Sequence, residues 1–145
     1  MGMKIQRVNA IAPALRKMPR GGVWEYAEDW RAEIVLKEEG RLVFAIRRGY
    51  WTDLASVPKA LRGAFDNGSG SYGVLLASQI HDCLYSSHYT SKDFADDIFL
   101  KLLRFYGVGV MKSYLYYSAV SLFGRSAWEG ADESDRKFIA FSWLA

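Results

Sequence analysis

Apolar and polar positions alternate most clearly over Trp30–Lys37, where Ile34 and Leu36 are two apart, and over Arg41–Arg47, where Leu42, Phe44 and Ile46 repeat the spacing. Glu38-Glu39-Gly40 separates the two runs, so the pattern predicts a pair of antiparallel strands joined by a tight turn. Ahead of this hairpin, Pro13, Pro19 and Gly21-Gly22 break every run, and residues 1–22 are expected to form an irregular arm or an edge strand.

After the hairpin the period changes. Ser56-Val57-Pro58 has the form of an N-cap followed by proline in the first turn, which predicts a short helix over Val57–Phe65. Asp66-Asn67-Gly68-Ser69-Gly70-Ser71 is a loop by composition. Val74, Leu75, Ala77, Ile80 and Leu84 then mark an apolar-rich helix over Tyr72–Ser87. Thr90-x-x-Asp93 resembles a capping box and opens a second helix that runs to Gly107, its C-cap. Because so few residues join them, the two helices are expected to lie antiparallel. A third helix is predicted over Val110–Phe123, stopping at Gly124, and a fourth over Asp132–Leu144 with Phe138, Ile139, Phe141 and Trp143. The expectation is one α+β domain, mainly helical, with a β-rich part over 1–50 and a helical part over 51–145.

Length agrees with one domain: 145 residues, half of them hydrophobic, are enough to enclose a core. Five Trp, nine Tyr and eight Phe make that core rich in large rings, with aromatic surface to spare. A formal charge of +3 permits attraction to anionic partners without requiring it. The basic residues are scattered as Arg16-Lys17, Arg47-Arg48 and Lys59/Arg62 rather than gathered in a stripe, so a nucleic-acid partner is not expected. Cys83 is the only cysteine, which excludes an intrachain disulfide and a cysteine-rich metal site, and fits a reducing compartment. The N-terminal residues lack the apolar run of a signal peptide, and no stretch reaches the length of a membrane span. The product is therefore expected to be soluble when made, with any export needing outside help.

Candidate chemistry gathers on the first long helix. His81 and Tyr85, four apart, share a face, while Asp82 lies about 100° around from His81. At about 1.5 Å per residue, His81 lies roughly 9 Å before the end of its helix, and Asp96 roughly 7.5 Å after the start of the next. The two should thus be level across the antiparallel pair, where Asp96 would accept a hydrogen bond from one imidazole nitrogen and leave the other to act as a base. Asp82 and Asp53, with loop carbonyls, would make an all-oxygen site suited to Ca²⁺ rather than zinc. His88 reads as a solvated turn residue and Asp97 as a solvated acid. The bland alternative is a satisfied core pair of His and Asp, with Tyr85 and Tyr117 as core aromatics whose hydroxyls are hydrogen-bonded.

Two resemblances bear on these residues. The ordered set Gly49-Tyr-Trp-Thr-Asp-Leu-Ala-Ser-Val-Pro58, Ile80-His-Asp-Cys-Leu-Tyr85 and Ala95-Asp-Asp-Ile-Phe99 resembles a phage and prophage family known only as domain of unknown function 1353, over roughly residues 40–128. The blocks Thr52-Asp53-Leu54, His81-Asp82-Cys83-Leu84-Tyr85, Asp96-Asp97-Ile98-Phe99 and Tyr116-Tyr117-Ser118-Ala119-Val120-Ser121-Leu122-Phe123-Gly124 are similar, in order and spacing, to the prokaryotic and fungal type of secreted phospholipase A2. This second resemblance implies a phospholipase A2-like helix pair and a calcium ion held by Asp53, the Leu54 carbonyl and Asp82. It also implies His81 as base, Asp96 as its orienting partner, and Tyr85 and Tyr117 in support. The secreted enzymes are braced by disulfides and carry export signals, whereas this chain has a single cysteine and is expected to carry no such signal; the phage resemblance implies synthesis in the cytoplasm of a bacterial host, with association to a virion as the further expectation.

The expected function is a calcium-dependent esterase, phage-associated, that cleaves the sn-2 ester of phospholipids, with the membrane surface as its substrate. Trp24, Tyr26, Trp30 and Trp51, with Arg47, Arg48, Lys59 and Arg62, are available to meet that surface. Two alternatives stay open: an inactive phage structural protein on the same scaffold, contacting a phage or host protein, and a metal-dependent hydrolase of another ester or an amide.

Overall fold

A computed structural model describes residues 3–11, 13–19, 23–52, 72–130 and 138–144. The strands are β1 (Ile5–Asn9), β2 (Leu15–Lys17), β3 (Trp24–Tyr26), β4 (Trp30–Leu36), β5 (Gly40–Ile46), β6 (Trp51–Thr52) and β7 (Ile139–Leu144); the helices are α1 (Tyr72–Ser87), α2 (Lys92–Phe105), α3 (Val110–Phe123) and α4 (Arg125–Glu129). They build a four-stranded antiparallel sheet in the order β1-β4-β5-β7 and a three-stranded one in the order β2-β3-β6.

The β4–β5 hairpin is the centre of the larger sheet, paired from Trp30 against Ile46 to Leu36 against Gly40. Its alternating residues Ala32, Ile34, Leu36, Leu42, Phe44 and Ile46 are all buried, each of the larger ones worth about 1.5–3 kcal/mol relative to exposure. Gly40 closes the turn at φ +104°, a conformation open to glycine at little cost. Glu33, on β4, is buried too, taking hydrogen bonds from the Asn9 amide and from Arg41.

The structure departs from two sequence expectations. The fold is not mainly helical with a single hairpin: it is a mixed α+β fold with substantial sheet, since seven strands occur among the described residues. The fourth helix expected over Asp132–Leu144 is not what its last six residues form. Ile139–Leu144 instead pairs along β5, from Ile139 against Ile46 to Leu144 against Arg41. The reason lies in β5, whose outer edge would otherwise leave a row of backbone donors and acceptors without partners. Ile139, Phe141 and Trp143 also alternate with period two, a strand signal inside what looked like a helical tail. The Val57–Phe65 helix and the Asp66–Ser71 loop lie outside the described residues.

One hydrophobic cluster joins sheets and helices, with Tyr26, Ile34 and Phe44 packed alongside Ile80, Leu84 and Phe99. It positions α1 between two neighbours. One face of α1 meets the small sheet region: the Tyr26 hydroxyl donates to Gln79 Oε1 at 2.8 Å, the Tyr50 and Ser86 hydroxyls are 2.8 Å apart, and Thr52 donates to Asp82 at 2.7 Å. Positions 79, 82 and 86 are three and four apart, so they form a single stripe. The adjoining stripe, with His81 and Tyr85, faces α2.

Candidate active site

The pairing of α1 with α2 depends on the turn between them. His88 carries a left-handed φ of +50° and its N–H bonds to the Leu84 carbonyl, ending α1 without a glycine. The strain this implies for a non-glycine residue is offset by contacts: the His88 ring stacks on Trp128 at 3.9 Å and 15°, and its Nε2 lies 2.8 Å from the Trp128 carbonyl. His88 is therefore a half-buried clasp onto α4, a correction to its reading as a solvated turn residue. Helix α2 is capped by Ser91 rather than by the predicted Thr90, its hydroxyl accepting from the Phe94 N–H at 3.1 Å.

That start places Lys92 and Asp96 one turn apart on the buried side of α2, and Asp96 becomes the hub of the site. Its Oδ1 lies 2.8 Å from His81 Nε2 and accepts from the Tyr85 hydroxyl at 2.7 Å. Its Oδ2 accepts from Lys92 Nζ at 2.7 Å. His81 and Asp96 are almost wholly buried, at 1% and 2% exposure. The imidazole is held between the Tyr85 ring at 4.1 Å and the Phe99 ring at 4.9 Å.

Burial works against the charge on Asp96, but the hydrogen bonds from His81, Lys92 and Tyr85 outweigh it, so its carboxyl is held below the usual range. An ionised carboxylate only accepts, which requires an imidazole proton on Nε2, facing Asp96, and turns Nδ1 to the other side of the ring. Burial, followed by the bond to Asp96, pushes the Tyr85 phenol far up, so it remains a donor. Lys92, absent from the sequence reading, also donates to the Val120 and Ser121 carbonyls at 3.3 and 3.2 Å. These carbonyls lie in the last turn of α3, the negative end of its dipole, which favours a cation there. The signal for Lys92 was its i,i+4 spacing from Asp96.

The depressed Asp96 carboxyl has a consequence for acid stability. Its contribution is present above the unfolded carboxylate value of about 3.9 and is lost as pH falls through its lower folded value. Glu33 is lowered as well, by the Asn9 hydrogen bond first. Urea titrations across this range are expected to show a shallower acid loss in Asp96→Asn than in the unaltered chain, with the Glu33 part common to both. Equal slopes would refute the assignment.

Asp82 is half-buried and takes the Thr52 hydroxyl on Oδ2, so the exit of β6 sits against it. Asp53 and Leu54, the next residues along, lie outside the described residues. Tyr117 is half-buried with its ring 6.4 Å from Tyr114, while its neighbour Tyr116 is buried in the core. Asp97 is paired loosely with Lys101 at 3.6 Å. Tyr26 and Trp30 belong to the core and present no surface, whereas Trp51 is 45% exposed. Among the described residues no cluster of three His, Cys, Asp or Glu side chains could hold a metal, and no helix is long and apolar enough to cross a membrane.

A comparison with protein families matches residues 24–120 to one described as "Protein of unknown function (DUF1353)". No curated protein and no solved structure matches the chain.

Proposed function

We propose, from the premise that this chain belongs to the DUF1353 family of proteins of unknown function, that it is a hydrolase of phospholipid carboxylic esters with His81 as its base. The observation that carries the reading is the buried contact of His81 Nε2 with an ionised Asp96 that Tyr85 and Lys92 hold from two further sides. Such an arrangement fixes the tautomer a general base needs and leaves the carboxylate little freedom to turn away.

In this mechanism His81 Nδ1 takes a proton from water as the water oxygen attacks the ester carbonyl carbon. Asp96 stabilises the imidazolium that results, and the same proton then passes to the leaving alkoxide as the acyl–oxygen bond breaks. Tyr85 keeps its proton and acts only as a donor to Asp96 Oδ1. Asp82, with Asp53 and the Leu54 carbonyl, would hold a calcium ion, which supplies polarisation of the ester carbonyl when bound. The fit of these residues to a hard cation rests on their all-oxygen donors and on the Thr52–Asp82 bond, which brings the segment leading into Asp53 against Asp82. The substrate proposed is the sn-2 ester of a glycerophospholipid, and a phage setting would make it a means of weakening a host membrane.

Fatty-acid release from phosphatidylglycerol vesicles, measured with calcium and with a chelator, tests the reading. Release is expected only with calcium. Calcium at about 100 times its Kd should add about 2.7 kcal/mol of stability, roughly 5–10 °C in Tm, to the unaltered chain and far less to Asp82→Asn. No release from these vesicles or from those of any other headgroup, together with no calcium-dependent Tm shift, would end the proposal.

A second reading has an observation in its favour. His81 is 1% exposed and Lys92 already neutralises Asp96, as in a polar network that only joins α1, α2 and α3. On that reading the chain is a structural or interaction protein, and substitutions at His81 alter stability alone.

A further inference from the structure

Helix α3 has an outward face that its fold leaves uncovered. Met111 is 88% exposed, Leu115 67% and Leu122 71%, while the inward side is held by Ser113 and Tyr116. Met111, Leu115 and Leu122 are spaced by four and seven, so they form one stripe about 16 Å long. A helix apolar on both sides is ordinarily covered on both.

Charge indicates what covers this one. From Ile98 to Trp128 the chain has no acidic residue, yet it contains Lys101, Arg104, Lys112 and Arg125. Beside α3, a groove of about 340 Å³ is lined by three cations, Lys4, Lys101 and Arg104, together with the apolar surfaces of Phe105 and Tyr114. Among the described residues, the carboxylate paired with these cations is Asp97, in its loose contact with Lys101. Apolar side chains on an outward stripe with cations at its flanks are the combination that lies flat in an anionic lipid surface, burying to about 5–10 Å. A second copy of the chain would set the same cations against one another, which disfavours self-association.

We propose that the outer face of α3, with the groove beside it, is a docking surface for an anionic phospholipid bilayer. The apolar stripe enters the headgroup region while Lys4, Lys101 and Arg104 meet lipid phosphates. The proposal does not need the ester-hydrolysis reading, because it rests on residues outside the His81 site.

Flotation with phosphatidylcholine vesicles and with phosphatidylcholine–phosphatidylglycerol vesicles tests it, using His81→Gln so that turnover does not alter the lipid. Binding is expected to the anionic vesicles only, and to weaken with added salt. Met111→Asp with Leu115→Asp should lower partitioning at least tenfold, as should Lys101→Gln with Arg104→Gln. Leu122→Asp gives an independent check if the first pair impairs folding, which circular dichroism would reveal. Absence of binding to anionic vesicles overturns the proposal. So does a dimer, seen by light scattering, that the Met111/Leu115 pair abolishes, since the face would then belong to a second copy. Binding by His81→Gln together with an inactive unaltered chain would support docking and defeat hydrolysis.

Discussion

Replacing His81 with glutamine is expected to lower fatty-acid release by about a thousandfold, the middle of the range for loss of a positioned base. Glutamine fills nearly the same space between Tyr85 and Phe99 and can still donate to Asp96 from its amide, so the hub stays occupied. What it lacks is a nitrogen lone pair able to take a proton from water. The Tm should therefore fall only slightly while turnover disappears. The outcome that sinks the catalytic role is equal turnover in both proteins, or a loss of activity that follows loss of folded protein in proportion. Vesicles of several headgroup compositions are needed, because failure with one lipid would test specificity rather than chemistry.

How much of this site could be read in advance depends on how local each contact is. The meeting of His81 with Asp96 follows from two helix spacings and one short connection, all local, and the axial arithmetic put the two residues level. Lys92 was legible by the same logic, as a helical neighbour of Asp96, but its other partners are carbonyls some thirty residues away on α3. No spacing rule reaches that far. Strand β7 was missed for a related reason: its pairing with β5 is non-local, and Phe138 with Ile139 imitated the start of a helical face although 139, 141 and 143 kept strand alternation. The burial of Tyr26 and Trp30 was also beyond reach, because β3 and β4 flank the core only once both sheets are assembled. The exposed stripe on α3 was hidden by its own composition, since a helix with apolar residues on every side gives no sequence signal for which side faces out.

Asp96→Asn should cost about 3–5 kcal/mol of folding stability, the usual result of removing one partner from a buried ion pair. Lys92, only 9% exposed, would then lie among the Val120 and Ser121 carbonyls and the Tyr85 ring, with no carboxylate to balance its charge. Lys92→Met should be milder, because His81 and Tyr85 would still donate to the carboxylate that remains. The decisive protein is the double variant, Lys92→Met with Asp96→Asn, which removes both charges and leaves a neutral amide for His81 and Tyr85 to meet. If the pair acts as described, the double variant recovers more than half of the loss of Asp96→Asn, a coupling that urea denaturation resolves easily. Additive losses would mean that Lys92 and Asp96 are held by separate contacts. The same protein also separates the two functional readings. A neutral amide in place of the Asp96 carboxylate cannot stabilise an imidazolium, so a hydrolase would stay inactive even where stability returned, whereas on the structural reading function would return in step with stability.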